Sequence, residues 1–242
     1  MGAPLPFPGA SGRAFGRGGA SAPRGREPAQ ALASSTADPI RFFMTPTRLE
    51  AFSDGVIAIL ITIMVLELKV PEGHDLAALR PMLPVGLAYV LSFVFLGIYW
   101  NNHHHMFKVV ERVNGPILWA NLHLLFWLSL VPAATHWMGE SHGAPLPIAL
   151  YGVILLMSGA AYSILQHRIV AHEGRDSKLA KAIETGGKEK MSLAMYLAAI
   201  PLAWVHAAIS YALFVTVALI WLRPDPRIEA LEKMDVRGAP AA

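Results

Sequence analysis

The feature that most limits what this chain can fold into is its long apolar blocks, almost free of charge, recurring from residue 49 to residue 222. A hydrocarbon layer about 30 Å thick takes roughly 20 apolar helical residues to cross. Residues 49–69, 83–101 (running on to Phe107), 116–138 and 146–165 each read as such a segment. Residues 191–222 are too long for one ordinary span and too short for two generous ones. Pro201 and His206 interrupt the block, so it divides into two short helices turning around Trp204 to His206. The expected fold is therefore an all-α integral membrane protein with six transmembrane helices per subunit.

Composition narrows the function classes. Hydrophobic residues make up 54% of the 242, charged residues 15%, and mean hydropathy is +0.43. A soluble domain usually carries about 25% charge. With no cysteine, disulfides, thiolate metal sites and cysteine nucleophiles are excluded. The basic pI of about 9.3 comes from residues between apolar blocks. That is the pattern of positive cytoplasmic loops rather than of a nucleic-acid surface.

With both termini cytoplasmic, the inside segments hold Arg48, Lys108, Arg112, the basic residues between Arg168 and Lys190, and Arg223 to Arg237. The outside loops hold only Lys69 and Arg80, an asymmetry that needs an even number of spans. Residues 1–44, rich in Gly, Pro, Ala and Arg, are expected to form a disordered tail rather than a targeting segment. The apolar transmembrane domain is expected to cover 45–224, with 225–242 forming a short cytoplasmic tail. The membrane in question is expected to be the cell membrane.

The first helix is the informative one. On a wheel of roughly 100° per residue, Ile59, Ile63 and Leu66 share a stripe that Gly55 and Phe52 continue, with Thr62 at its edge. Ser53 and Asp54 turn away from it and must find partners inside the protein, because an ionisable group in hydrocarbon is costly. Periodicity alone leaves open whether the stripe meets lipid, a core or a pore. A second unusual run, Trp100-Asn101-Asn102-His103-His104-His105-Met106-Phe107, ends the second span on the side where Asp54 lies. An imidazole there can donate to Asp54. Three consecutive histidines diverge around a helix and make a poor metal site.

From Arg48-x-x-x-Phe52-Ser53-Asp54-Gly55 onward, the stretch RLEAFSDGVIAILITIMVLELKVP resembles the transmembrane protein 175 family of potassium channels, in its bacterial single-repeat form. WNNHHHMF is similar to that family's second-helix signature, and WLRPDPRIE to its usual C-terminal ending. The resemblance spans roughly residues 45–230. It implies a homotetramer of six-helix subunits in the lipid bilayer, conducting potassium ions through a central pore lined by the first helix. By position, Ile59 would form the main constriction, with Ile63 and Leu66 following outward and Thr62 supplying a hydroxyl ring. Arg48, Phe52, Ser53 and Asp54 would pack against the second helix through Trp100, His103 and His104. The resemblance implies no cofactor, no metal and no catalytic residue.

Three other readings compete. Proton permeation is raised by the ten histidines, yet the stripe carries no titratable group. A His-box metal-dependent membrane enzyme would need matched clusters, and His123, His136 and His206 form no HxxxH or HxxHH pattern. A secondary transporter would show paired broken helices, for which Pro132 and Pro201 are thin support.

Overall fold

The computed structural model describes residues 45–71, 73–108, 110–174, 177, 179–180 and 187–222. The expected tails at 1–44 and beyond 222 lie outside the described residues. Helix α1 runs Pro46–Leu66, with a proline in its first turn, where no backbone donor is lost. A 3-10 segment, Leu76–Met82, follows, capped by Asp75 accepting from the Ala78 N–H at 3.0 Å. Helix α2 is Leu83–Phe107. Helix α3, Gly115–Ser129, is capped by Asn114, whose side chain accepts from Ile117 N–H. Helix α4 is Val131–Glu140 and α5 is Pro145–Glu173. Helices α6, Gly187–Leu202, and α7, Ala207–Leu222, close the chain.

Two boundaries differ from the reading of hydropathy alone. The third apolar block is a helix pair broken at Leu130, because Pro132 has no N–H to offer the carbonyl one turn back. The chain resumes with Ala134 N–H on the Leu130 carbonyl at 3.1 Å. The fourth helix runs past 165 to Glu173, ending at Gly174 with φ +99, a backbone state that favours glycine. The last block does divide, through a turn over 203–206 closed by His206 N–H on the Leu202 carbonyl at 2.9 Å.

Four helical stretches are long and apolar enough to cross a membrane: Pro46–Leu66, Leu76–Phe107, Gly115–Glu140 and Pro145–Glu173. Ala207–Leu222 is apolar but shorter. The chain is thus a membrane protein built of helices, with no strand among the described helical segments.

Packing radiates from α5, which lies against α3, α4, α6 and α7. Its Tyr151 is fully buried and meets the Phe214 ring of α7 edge-on at 5.3 Å. Helix α1 sits to the other side, against α2, α3 and α4. Hydroxyls join α2, α4 and α5 in the interior. Tyr151 Oη lies 2.8 Å from Ser92 Oγ, which lies 2.6 Å from Thr135 Oγ1, and Thr135 reaches the Val131 carbonyl at 2.7 Å. In hydrocarbon no water would substitute for these partners. Helices α2 and α4 approach closely at Gly139, where an added Cβ would stand 2.8 Å from Val85 Cα.

Gly139→Ala should therefore push these two helices apart and cost about 1–3 kcal/mol of stability. Thermal melting of the purified protein would show a drop of several degrees, whereas Gly97→Ala, with open space around its Cβ, should melt at or above wild type. Equal melting of the two variants would contradict this packing.

Candidate functional site

Helix α1 has two unlike faces. Leu49, Ser53, Ile57, Leu60 and Met64 are buried against α2, α3 and α4. Ile59 is 57% exposed, Ile63 41% and Leu66 79%, and Phe52, Gly55, Ala58 and Thr62 share the outward arc. The apolar stripe therefore faces out of the single chain over the whole helix. Thr62 Oγ1 donates to the Ile59 carbonyl at 2.9 Å. That bond uses the only hydroxyl proton and leaves the oxygen as an acceptor toward the outside.

The buried face is held by a neutral polar relay. Ser53 Oγ donates to the Leu49 carbonyl at 2.9 Å and accepts from Asn121 Nδ2 at 2.9 Å. Asn121 Oδ1 then faces His103 Nε2 at 2.8 Å. Since the amide has spent its donor on Ser53, the proton on this contact belongs to His103 Nε2. Its Nδ1 has no hydrogen-bond partner among the described residues. The ring stacks on Phe107 at 4.5 Å. Ser53, His103 and Asn121 are all fully buried, so one residue from each of α1, α2 and α3 meets at a single interior point.

Ion pairing occurs toward the helix ends. His104 Nδ1 donates to Glu50 Oε1 at 2.6 Å, joining α2 to α1, and Trp100 stacks near-parallel on the His104 ring. At the other end of α1, Lys69 meets Glu140 of α4 at 2.5 Å, which holds the Lys69 ammonium above its ordinary pKa. His136 lies between Glu67 at 3.5 Å and Glu140 at 3.3 Å.

These placements separate the residues singled out in the sequence. Ser53 and His103 are joined through Asn121. His104 pairs with Glu50 rather than Asp54. Asp54 is half-buried, and no hydrogen-bond partner for its Oδ1 is found among the described residues. Arg48 and Phe52 are exposed. Both fall on the arc of Ile59 and Leu66 and so cannot bury against α2 within one chain. Asn121 and Glu50 were missed. The signal for Asn121 was there, a lone amide within an apolar span, although nothing local named its partners. Among the described residues no group of three or more His, Asp or Glu side chains converges to hold a metal ion.

Comparison with known proteins bears on this helix directly. The family model described as the endosomal/lysosomal potassium channel TMEM175 matches residues 48–132, from α1 to the start of α4. A potassium channel from Chryseobacterium sp. is 58% identical over 186 residues, which cover 77% of this chain and 97% of that protein. The crystal structure of a lysosomal potassium-selective channel TMEM175 homolog from Chamaesiphon minutus superposes with a TM-score of 0.61 at 30% identity. It covers 73% of this chain and 96% of that one. The bovine endosomal/lysosomal proton channel TMEM175 is 34% identical over 103 residues, only 22% of its own length.

Removing Asn121 should cost more than removing any single exposed hydroxyl, because two buried groups lose their partner at once. Asn121→Ala is expected to lower stability by roughly 2–4 kcal/mol, about 1–2 for each orphaned group. Ser129→Ala, whose hydroxyl is exposed on the Phe126 carbonyl, should change melting little. Indistinguishable thermal melts for the two would remove the relay as the seat of α1.

Proposed function

Because this chain belongs to the TMEM175 family of potassium channels, we propose that it conducts potassium ions through a pore lined by α1 in a homotetramer. The observation that carries this reading is the outward apolar face of α1, running from Phe52 to Leu66 on a helix whose opposite face is firmly seated. Small residues on the same arc, Ala51, Gly55 and Ala58, let neighbouring helices approach closely around an axis.

In this reading six spans form from α1, α2, the α3–α4 pair, α5, α6 and α7. At 16 residues each, α6 and α7 are about 24 Å long. A slightly short span is accommodated by local thinning of the bilayer or by packing in the bundle. The even number puts both termini in the cytoplasm of a cell-membrane protein and keeps the basic loops inside.

Four Ile59 side chains would form the narrowest ring, with Ile63 about 6 Å and Leu66 about 10.5 Å further along the axis. A ring of branched alkyl groups blocks ions by expelling water and conducts when it widens. Potassium is favoured because stripping part of its hydration shell costs less than for the smaller sodium ion. Thr62 adds acceptor oxygens, since its proton is held by the Ile59 carbonyl. Conduction needs no covalent step, so no residue here is assigned a catalytic role. The motif of Arg48, Phe52, Ser53 and Asp54 acts with Trp100, His103 and His104 in seating and spacing α1. In a tetramer the exposed Arg48 and Phe52 would meet a neighbouring subunit.

Proton conduction is the second reading, since the bovine and zebrafish relatives are endosomal/lysosomal proton channels. Between Arg48 and Glu67 the outward face of α1 offers no titratable side chain. A proton would therefore need a continuous water column past Ile59.

Flux of potassium against sodium in proteoliposomes tests the proposal, with Ile59→Asn beside Leu197→Asn, a substitution at an exposed site on α6. Ile59→Asn should raise flux roughly tenfold, about 1.4 kcal/mol off the barrier, and narrow the potassium preference. Leu197→Asn should leave both unchanged. A folded tetramer whose Ile59→Asn flux and selectivity match wild type would take α1 out of the pore.

A further inference from the structure

A second concave feature lies away from α1, between α2, α5, α6 and α7, and the channel reading makes no use of it. Its walls are aromatic: Phe95 and Tyr99 from α2, Tyr162 from α5, Tyr196 from α6 and Trp221 from α7. One carboxylate, Glu189 near the start of α6, lines the same space. The void of about 460 Å³ includes the open space at its mouth, so only a compact molecule fits, and part of it stays at the mouth.

The rings are held rather than free. Phe95 and Tyr196 meet edge-on at 6.2 Å, and Tyr99 and Tyr162 at 6.1 Å. Trp221 Nε1 donates to Ser192 Oγ at 2.8 Å, and Tyr162 Oη donates to the Asn102 carbonyl at 3.3 Å. The polar ends of Trp221 and Tyr162 are thus occupied by the protein. Glu189 accepts from the Ser163 hydroxyl, a neutral partner.

A negative side chain among aromatic faces has a defined complement. Ring faces carry negative potential and attract a cation within about 6 Å of the centroid. A carboxylate partly withdrawn from water gains more from an opposite charge than an exposed one does. Asn102 and Ser192 also line the pocket, but Glu189 is its one charged group. A largely apolar pocket with one charge favours a ligand with an apolar body and one oppositely charged end. His167 and Lys190 already lie near enough to act on the Glu189 charge. An anion would still be repelled by the carboxylate and by the ring faces alike, and a neutral alkane would gain nothing from that charge.

We propose that this pocket is a binding site for a small organic ammonium ion bearing a short alkyl group, with Glu189 as its counter-charge and the aromatic rings as its walls. The ligand is a compact primary amine in its protonated form, its charged end at Glu189 and its carbons against Phe95, Tyr196 and Trp221. The site stands independently of the pore, since binding needs neither conduction nor potassium.

Calorimetric titration of the purified full-length protein in detergent provides the test, using isopentylammonium and its uncharged counterpart of matching shape, isopentyl alcohol. Saturable binding of one ammonium per chain is expected, at least tenfold tighter than the alcohol. Glu189→Gln should weaken the ammonium at least tenfold and leave the alcohol unchanged. Equal affinity for the two compounds in wild type, or no saturable binding of the ammonium, would overturn the proposal without any variant being needed. Unchanged ammonium affinity in a folded Glu189→Gln protein would overturn it as well.

Discussion

One amide decides how α1 sits. Asn121 gives its N–H to Ser53 and its carbonyl oxygen to His103, and these three fully buried groups tie three helices at one point. In water, each could have exchanged its partner for solvent at little cost. Inside a bilayer there is no such exchange, so the partners must be present and correctly turned. Because the relay is neutral throughout, it avoids the expense of an ionised group at the same depth. The rotation of α1 about its own axis follows from it. With Ser53 pointing at Asn121, Ile59, Ile63 and Leu66 have no freedom but to point away.

The charged contacts complement this arrangement by position. Glu50 with His104, and Lys69 with Glu140 and His136, lie toward the two ends of α1, where a polar boundary can share the burden. The centre of the helix is left to Ile57, Leu60 and Met64 on the buried side. Polarity is thus graded along the helix from charged at the ends to neutral and then apolar, and the exposed stripe runs the length of that gradient.

Much of the fold was legible in the sequence because lipid imposes a simple rule on hydropathy. The first two helices end close to where the apolar blocks do, and the division of residues 191–222 fell at the turn that Pro201 and His206 marked. The break at Leu130 was less visible, since Leu128 to Pro132 are apolar apart from Ser129 and hydropathy cannot sense a missing N–H. The overrun of α5 to Glu173 was missed for the opposite reason, because a helix can continue into polar residues beyond the apolar block. At the site, the wheel separated the stripe from Ser53, but partner identity lies between helices far apart in sequence. Asn121 stands 68 residues from Ser53, and no local pattern connects them. Likewise, nothing local distinguished Glu50 from Asp54 as the partner of His104, four positions apart on one helix.

Held at Glu50, at Ser53 and again at Lys69, α1 resembles a beam clamped near both supports. Such a beam resists tilting, and the buried Ser53–Asn121 bond resists turning as well. The least costly movement of the Ile59 face is then a swing of α1 together with α2, α3 and α4 as one rigid body. Splaying one end of α1 alone would first have to unfasten a clamp.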